Sequence, residues 1–229
     1  MEKIKKLRKF FVTKKIDGYL VPKNDQFFSE YVSKHNDRLN YISNFSGSFG
    51  FALILKNKNY LFVDGRYTNQ AINQSGKYFK IITFPRKMPK DILKNKKLLI
   101  GFDPKLITKK TLKFFFVNNS CIFKPIKRNL IDQIWDKNIK KKNKKFYRLP
   151  NYSVDQNYRY KIIKIVHLMK KRGLDYQLVT ASENNAWLLN IRGGDSKFAP
   201  IPNCYSLIDK NENIKLFCDL RKIPSSFQK

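Results

Sequence analysis

Apolar residues first recur near helical spacing at Ile4, Leu7, Phe11 and Val12, which predicts an amphipathic helix over about 2–15. The run IDGYLVP follows as an apolar strand closed by Pro22. GFALILKNKNYLFVDGRY then reads as two strands joined at a Lys-Asn-Lys-Asn turn, the second ending on Asp64-Gly65-Arg66. Beyond it the pattern predicts a helix near 67–76, a strand in KLLIGFDP, a helix over 108–118, a short strand in CIFKPI and a closing NLIDQIW. Strands alternating with helices imply an α/β layer.

A second module repeats that opening. A helix in YRYKIIKIVHLMKKRG, a strand in LDYQLVTA, the segment ENNAWLLNIRGGD and a hairpin in NCYSLIDKNENIKLFCDLR come in the same order. Asn190 answers Asn44, Gly193 answers Gly47, Leu207 answers Leu53, Asp219 answers Asp64 and Arg221 answers Arg66, the mark of a repeated architecture. ENNAWLLNIRGGD is thus predicted to be the counterpart of NDRLNYISNFSGS, a helix running into a Gly-rich turn that leads to the hairpin.

Between the modules, IKKKNKK followed by FYRLP and NYS has no apolar periodicity and reads as a solvated basic linker. The predicted divisions are 1–138 for the first domain, 139–157 for the linker and 158–229 for the second domain. The second is expected to be incomplete. Only KIPSSFQK follows its Asp-x-Arg element, whereas further helices and at least one strand follow that element in the first.

Composition adds to this picture in three ways. With 229 residues, 42% hydrophobic and 14% aromatic, the chain can build two cores. No run approaches the roughly 20 apolar residues that span a bilayer, and MEKIKKLRKF lacks the apolar stretch of a signal peptide, so a cytoplasmic location without membrane contact is expected. Cys121, Cys204 and Cys218 are odd in number and widely spaced, which points to buried thiols rather than a disulfide framework or a zinc site.

Charge is ambiguous. Lys and Arg total 48 against 17 Asp and Glu, and the net charge of +31 by itself suggests an anionic partner. Yet the excess is spread along the whole chain beside abundant Asn, Ile, Phe and Tyr, the residues that codons rich in A and T supply. Contact with nucleic acid is therefore expected only as a non-specific, salt-dependent attraction.

Catalytic chemistry is hard to place. The chain has two histidines, His35 in the loop SKHND and His167 in IVHLMKK, and no Asp or Glu lies three or four residues after His167 to make a ligand pair. A partly buried, hydrogen-bonded imidazole is the expectation for His167. Asp64 and Asp219 read as strand-end caps paired with the Arg two residues on. FSGSFG lacks the context of a nucleophile elbow, and NIRGGD lacks the Lys-Ser or Lys-Thr of a phosphate loop. No catalytic residue and no metal ligand is assigned.

The ordered series DGYLVP, DQFFSEYVSKHNDRLNYISNFSGSFGFALI, VDGRY, GFDP, NLIDQIW and VTASENNAWLLNIRGGD resembles the N-terminal region of the three-domain aminopeptidase P (Xaa-Pro aminopeptidase) enzymes of the creatinase and prolidase superfamily. The resemblance runs from about Leu7 to Arg221. It implies two related creatinase N-terminal-type α/β domains, each a mixed sheet flanked by helices, the second incomplete. The family's pita-bread catalytic domain, with its two divalent metals, usually manganese, is not expected within these residues, so no cofactor is expected in this chain and it is expected to be inactive alone.

The implied role is that of a non-catalytic region of a metallopeptidase that releases the residue before proline, acting in cleft closure and substrate access. Its implied partners are the missing catalytic domain or a homodimer partner and, indirectly, proline-containing peptides. By position, Trp187 and Arg192 with the Gly193-Gly194 turn are candidates for a cleft-facing rim, since Arg holds a peptide carboxylate or carbonyl and Trp stacks on a proline ring. Arg38 is a third substrate-binding candidate. The structural alternative puts Trp187 in the core, pairs Arg192 with Asp195 and pairs Arg38 with Asp37. A different class of function also remains open: a stand-alone, non-enzymatic binding module with a basic surface for an anionic partner.

Overall fold

The computed structural model describes residues 2–94, 96–137 and 144–227. They divide into two compact units, the first taking in 2–26 and 34–137 and the second 27–33 and 144–227. No helix among the described residues is long and apolar enough to cross a membrane.

The first unit opens with α1 (Glu2–Thr13), which buries Ile4, Leu7 and Phe11 on one stripe. Val12, expected on that stripe, is 78% exposed. At 100° per residue it lies about a quarter-turn off the line through the other three. The chain continues through β1 (Gly18–Pro22), α2 (Arg38–Ser43), β2 (Gly50–Leu55), β3 (Asn59–Asp64), α3 (Thr68–Ser75), β4 (Lys80–Phe84), α4 (Pro89–Ile92), β5 (Leu99–Phe102), α5 (Lys109–Phe115) and β6 (Ile122–Pro125). The sheet order is β4-β3-β2-β1-β5-β6, with β1, β2 and β3 antiparallel to their neighbours in that meander and β4, β5 and β6 joining in parallel. The pattern of hydrophobic positions had not predicted β4. Its KIITF run is short, flanked by Lys and Pro, and lies at the sheet edge, where one-sided pairing leaves little apolar signature.

Side chains of β1 alternate between two cores, as the pleat requires. Tyr19 and Val21 join α1, Ala52, Ile54, Leu130 and Ile131, while Leu20 faces Phe51, Phe62, Ile100, Leu112 and Phe115 on the other side. The predicted NLIDQIW segment closes the first of these cores: Leu130 and Ile131 are fully buried, and Trp135 stacks on Tyr41 at 4.7 Å.

Asp17 fixes the entry to β1. Its carboxylate accepts from the Leu99 N–H at 2.9 Å and pairs with Lys56 at 2.6 Å, and these two partners hold its pKa below the usual carboxylate range. A carboxyl whose folded-state pKa is depressed stabilises the fold above the unfolded value near 3.8, and that contribution is lost as pH falls through the folded value. Asp17→Asn is therefore expected to cost about 1 kcal/mol at pH 7, the carboxyl being 32% exposed and screened, and to cost nothing at pH 2. Urea midpoints across that range check this. A deficit that persists unchanged at pH 2 would remove the carboxylate from the account.

The second unit contains β7 (Tyr147–Arg148), α6 (Tyr158–Lys171), β8 (Tyr176–Val179), α7 (Ser182–Leu188), β9 (Ile191–Arg192), β10 (Tyr205–Asp209) and β11 (Ile214–Phe217). A three-stranded antiparallel sheet has the order β11-β10-β8, and β7 pairs with β9 in a separate ribbon. Ile162, Val166 and Met169 of α6 pack with Leu188 and Ile208 to form its core. Within this unit Phe27 meets Tyr205 at 5.0 Å and Tyr31 meets Phe198 at 4.8 Å.

The linker expectation needs correction for 144–157, while 139–143 of it lie outside the described residues. Phe146 is 1% exposed and forms a small core with Ile191 and Cys204, and Tyr147–Arg148 pairs with the strand that carries Arg192. One buried ring amid lysines leaves no periodicity to read. The two-module α/β reading stands: each unit is a mixed or antiparallel sheet with helices packed on it.

Candidate functional site

The segment 183–195 takes in α7 from its second residue, a turn, β9 and the residues 193–195 that follow it. Asn185 anchors it from below. Fully buried, its side chain donates to the carbonyls of Val179, Ala181 and Cys204 and accepts from the Ser206 hydroxyl, tying α7 to the sheet. After α7, Asn190 takes a left-handed conformation with φ 52°, as Asn44 does with φ 65° at the end of α2. Asn tolerates that region because its short amide can bond locally. Here the amide donates to the Gln156 carbonyl and accepts from Lys161.

Gly193 is required by close approach. A Cβ there would stand 2.8 Å from the Pro202 Cα and 3.0 Å from the Phe146 ring. The turn is held from the facing chain by Gly193 N–H to the Pro200 carbonyl and by Asp195 N–H to the Ile201 carbonyl. Asp195 does not pair with Arg192, as the structural alternative had it. Its carboxylate takes the buried Lys222 ammonium and the Asn203 N–H, so the partner comes from just beyond the hairpin instead of from the turn itself.

Arg192 instead turns its Nη1 toward the end of α7, donating to the Ala186 carbonyl at 2.8 Å and the Ile191 carbonyl at 2.9 Å. Lys161, on α6, is 5% exposed and does the same for the next carbonyl: its Nζ donates to Trp187 O and to Asn190 Oδ1, both at 2.6 Å, and sits 4.3 Å from the Trp187 ring. Burial, and then the neighbouring Arg192, lower its pKa from the ordinary lysine value. Both cations meet the negative end of the α7 dipole, where carbonyls lack helical partners. Neither forms an ion pair with a carboxylate among the described residues.

Lys161, Trp187, Asn190 and Arg192 line one cavity of about 210 Å³, with Asp155 and Leu149 opposite. Trp187 is 60% exposed, not a core residue, and its other face borders an apolar groove of about 480 Å³ between α6, α7 and β8. The site thus brings Trp187 and Arg192 together. Lys161 was missed, although a lysine at the matching position of the first repeat, Lys3, was there to be read: its Nζ donates to Tyr41 O at 2.8 Å and lies 4.5 Å from that ring.

Arg38 belongs to the first unit, where it grips Asp132 through Nε and Nη2 at 2.9 and 2.8 Å, not Asp37. Asp37 caps α2 at the Asn40 N–H and pairs with Lys23. Burial pushes the Asp132 carboxyl up, but Arg38 and Lys137 outweigh it and leave the group more acidic than usual. His167 is exposed on α6, correcting its expected partial burial. Asp64 and Asp219 each accept from the backbone N–H and side chain of the Arg two residues on. Among the described residues no group of three or more His, Cys, Asp and Glu could hold a metal ion, so the donor set does not fit a dinuclear centre.

Comparison with known proteins covers both units. A Creatinase/Prolidase N-terminal domain family matches residues 3–127, and a second family of the same description matches 137–229. The Xaa-Pro aminopeptidase ApepP of Drosophila melanogaster is 32% identical over 93% of this chain and 36% of its own length. Xaa-Pro aminopeptidase 1 of Dictyostelium discoideum is 31% identical over 97% and 38%. The X-prolyl aminopeptidase of Caenorhabditis elegans, described as a cytosolic enzyme with a di-nuclear active site, superposes with a TM-score of 0.91 at 26% identity, covering 99% of this chain and 40% of that one. The chain spans little more than a third of the length of the curated relatives it matches.

Proposed function

Because this chain belongs to the creatinase/prolidase N-terminal domain family, we propose that it forms the non-catalytic N-terminal region of a cytoplasmic Xaa-Pro aminopeptidase, a peptidase that releases the residue before proline. The observation that carries the reading is the alignment of nearly the whole chain with such enzymes over little more than a third of their length. Chemistry at the scissile bond then belongs to polypeptide outside these residues. The two units shape access to the cleft.

Within that reading Trp187 and Arg192 contact the peptide. Trp187 offers an exposed indole face on which a proline ring can stack. Arg192, with Nη1 occupied by two carbonyls, has no partner for Nε and Nη2 among the described residues, which leaves them for a peptide carbonyl or carboxylate. Arg38 is the third substrate-binding residue of this reading, set in place by Asp132. A dinuclear hydrolase needs several carboxylates and a His converging on two cations, a set that the described residues do not assemble. The purified 229-residue chain is accordingly expected to release no amino acid from an Xaa-Pro peptide, with or without added manganese. Metal-dependent release above a matched blank, surviving a second purification, would overturn the assignment of catalysis elsewhere.

A further inference from the structure

Strands β10 and β11 run antiparallel, with Tyr205 opposite Phe217, Ser206 opposite Leu216, Leu207 opposite Lys215 and Ile208 opposite Ile214. One step beyond that register, at the open end of the hairpin, Cys204 stands opposite Cys218. The turn decides which kind of pair they make. Asp209 N–H donates to the Asn213 carbonyl, so 209 and 213 are a hydrogen-bonded pair. Bonded and non-bonded pairs alternate along an antiparallel ladder, which puts 205 with 217 in the first class and 204 with 218 in the second. In non-bonded pairs the Cα atoms approach to about 4.5 Å and the side chains come closest. A disulfide needs a Cα separation of about 4.4–6.8 Å.

Both thiols also lie on one face of the hairpin. Ser206 and Ile208, which share the Cys204 side of β10, are fully buried, and Leu216 and Cys218 pack on the small core that Cys204 forms with Phe146 and Ile191. Electrostatics agree with that proximity: burial, and then the neighbouring Cys218, push the Cys204 thiol up to about 12. Burial raises Cys218 as well, and the Lys222 ammonium partly offsets it. Both are free thiols, Cys218 the less buried, while Cys121 belongs to the first unit.

We propose that Cys204 and Cys218 form a reversible cross-strand disulfide, oxidised by a small disulfide such as glutathione disulfide, that clamps the open end of the hairpin around the Gly-rich turn. The Cys218 thiol loses its proton, and its sulfur attacks one sulfur of glutathione disulfide, breaking that S–S bond and releasing a glutathione thiolate. The Cys204 sulfur, deprotonated in turn, attacks the Cys218 sulfur and releases the second glutathione thiolate. The two cysteine protons end on the two glutathione thiols, so two protein thiols give up two electrons as one small disulfide is reduced. Burial keeps both cysteines protonated at neutral pH, so the exchange is slow. The bond would join the two segments that hold Asp195: Asn203, whose N–H it accepts, precedes Cys204, and its ion-pair partner Lys222 follows Cys218. Neither the bond nor its test depends on a peptide at Arg192.

The test equilibrates the full chain in glutathione buffers of graded ratio, quenches with acid, alkylates the remaining thiols and reads the products by mass spectrometry. In the unsubstituted chain Cys121 should stay open to alkylation while Cys204 and Cys218 are lost together, with a mass two hydrogens lower and full recovery in dithiothreitol. Cys121→Ser leaves only the pair. In that variant the midpoint is expected at a ratio of glutathione disulfide to thiol at least about tenfold lower in the native chain than in urea, because the fold holds the two sulfurs together. The amides of Gly193, Asp195 and Asn203, hydrogen-bonded at the turn, should exchange about tenfold more slowly once the pair is oxidised. Both thiols still free at every ratio, a glutathione adduct on Cys218 that never passes to Cys204, a bond that takes in Cys121, or the same midpoint in urea would overturn the disulfide. Unchanged exchange at the turn in the oxidised chain would overturn the clamp.

Discussion

Replacing Lys222 with alanine is expected to destabilise the second unit by about 3–5 kcal/mol, because it strands a carboxylate that the fold has withdrawn from water. The side chains of Lys222 and Asp195 are 3% and 10% exposed, and Asp195 has no other cation among the described residues. Its remaining bond, from the Asn203 N–H, does not balance a charge. The pair also closes the Gly-rich turn: Asp195 ends RGGD, and the Lys222 carbonyl accepts from the N–H of Phe146, whose ring contacts Gly193. Losing the ammonium therefore loosens the turn that places Arg192.

The chain has two tryptophans, Trp135 in the first unit and Trp187 in the second, so a Trp135→Phe background reports the second unit alone by fluorescence in urea. Lys222→Met with Asp195→Asn is expected to recover most of the loss, since removing both charges also removes the desolvation cost of burying them. A single-variant loss below about 1 kcal/mol would mean that water reaches the pair and that the turn is held by its backbone bonds.

That pair marks where sequence reading stopped. The repeat was legible because it is written in residues whose backbone demands are local: Asn44 and Asn190 with positive φ, and Asp64 and Asp219 capping the turn two residues ahead. Partners chosen by tertiary proximity were not. Asp195 and Arg192 are near neighbours in sequence, as are Asp37 and Arg38, yet each takes a partner from another element: Lys222, the Ala186 carbonyl of α7, Lys23 and Asp132. An arginine beside an aspartate in sequence often cannot reach it across a turn, whereas a helix end offers carbonyls with no helical partner. For Trp187 the structural alternative of a core position is the one that fails: a large apolar ring suggests it, but burial depends on what covers the ring, and in the second unit the described residues leave that face open.

Hydrogen exchange is expected to divide the molecule along the same line. Every residue of β1 and β2 is buried, both strands lie inside a six-stranded sheet, and apolar clusters cover both of its faces. Opening those strands exposes two cores at once. In β8 and β11 no residue is fully buried, and Tyr176, Leu178 and Phe217 are 64, 53 and 51% exposed on one side of a three-stranded sheet. Each hundred Å² of apolar face left in water withholds about 2.5 kcal/mol that covering it would contribute. Amides in 176–179 and 214–217 should consequently exchange at least about 100-fold faster than those in 18–22 and 50–55, a local free-energy gap of about 3 kcal/mol. Equal protection of the two sheets without any ligand would mean that α6 and α7 alone stabilise the second one fully, and that its exposed face carries no thermodynamic demand for a partner.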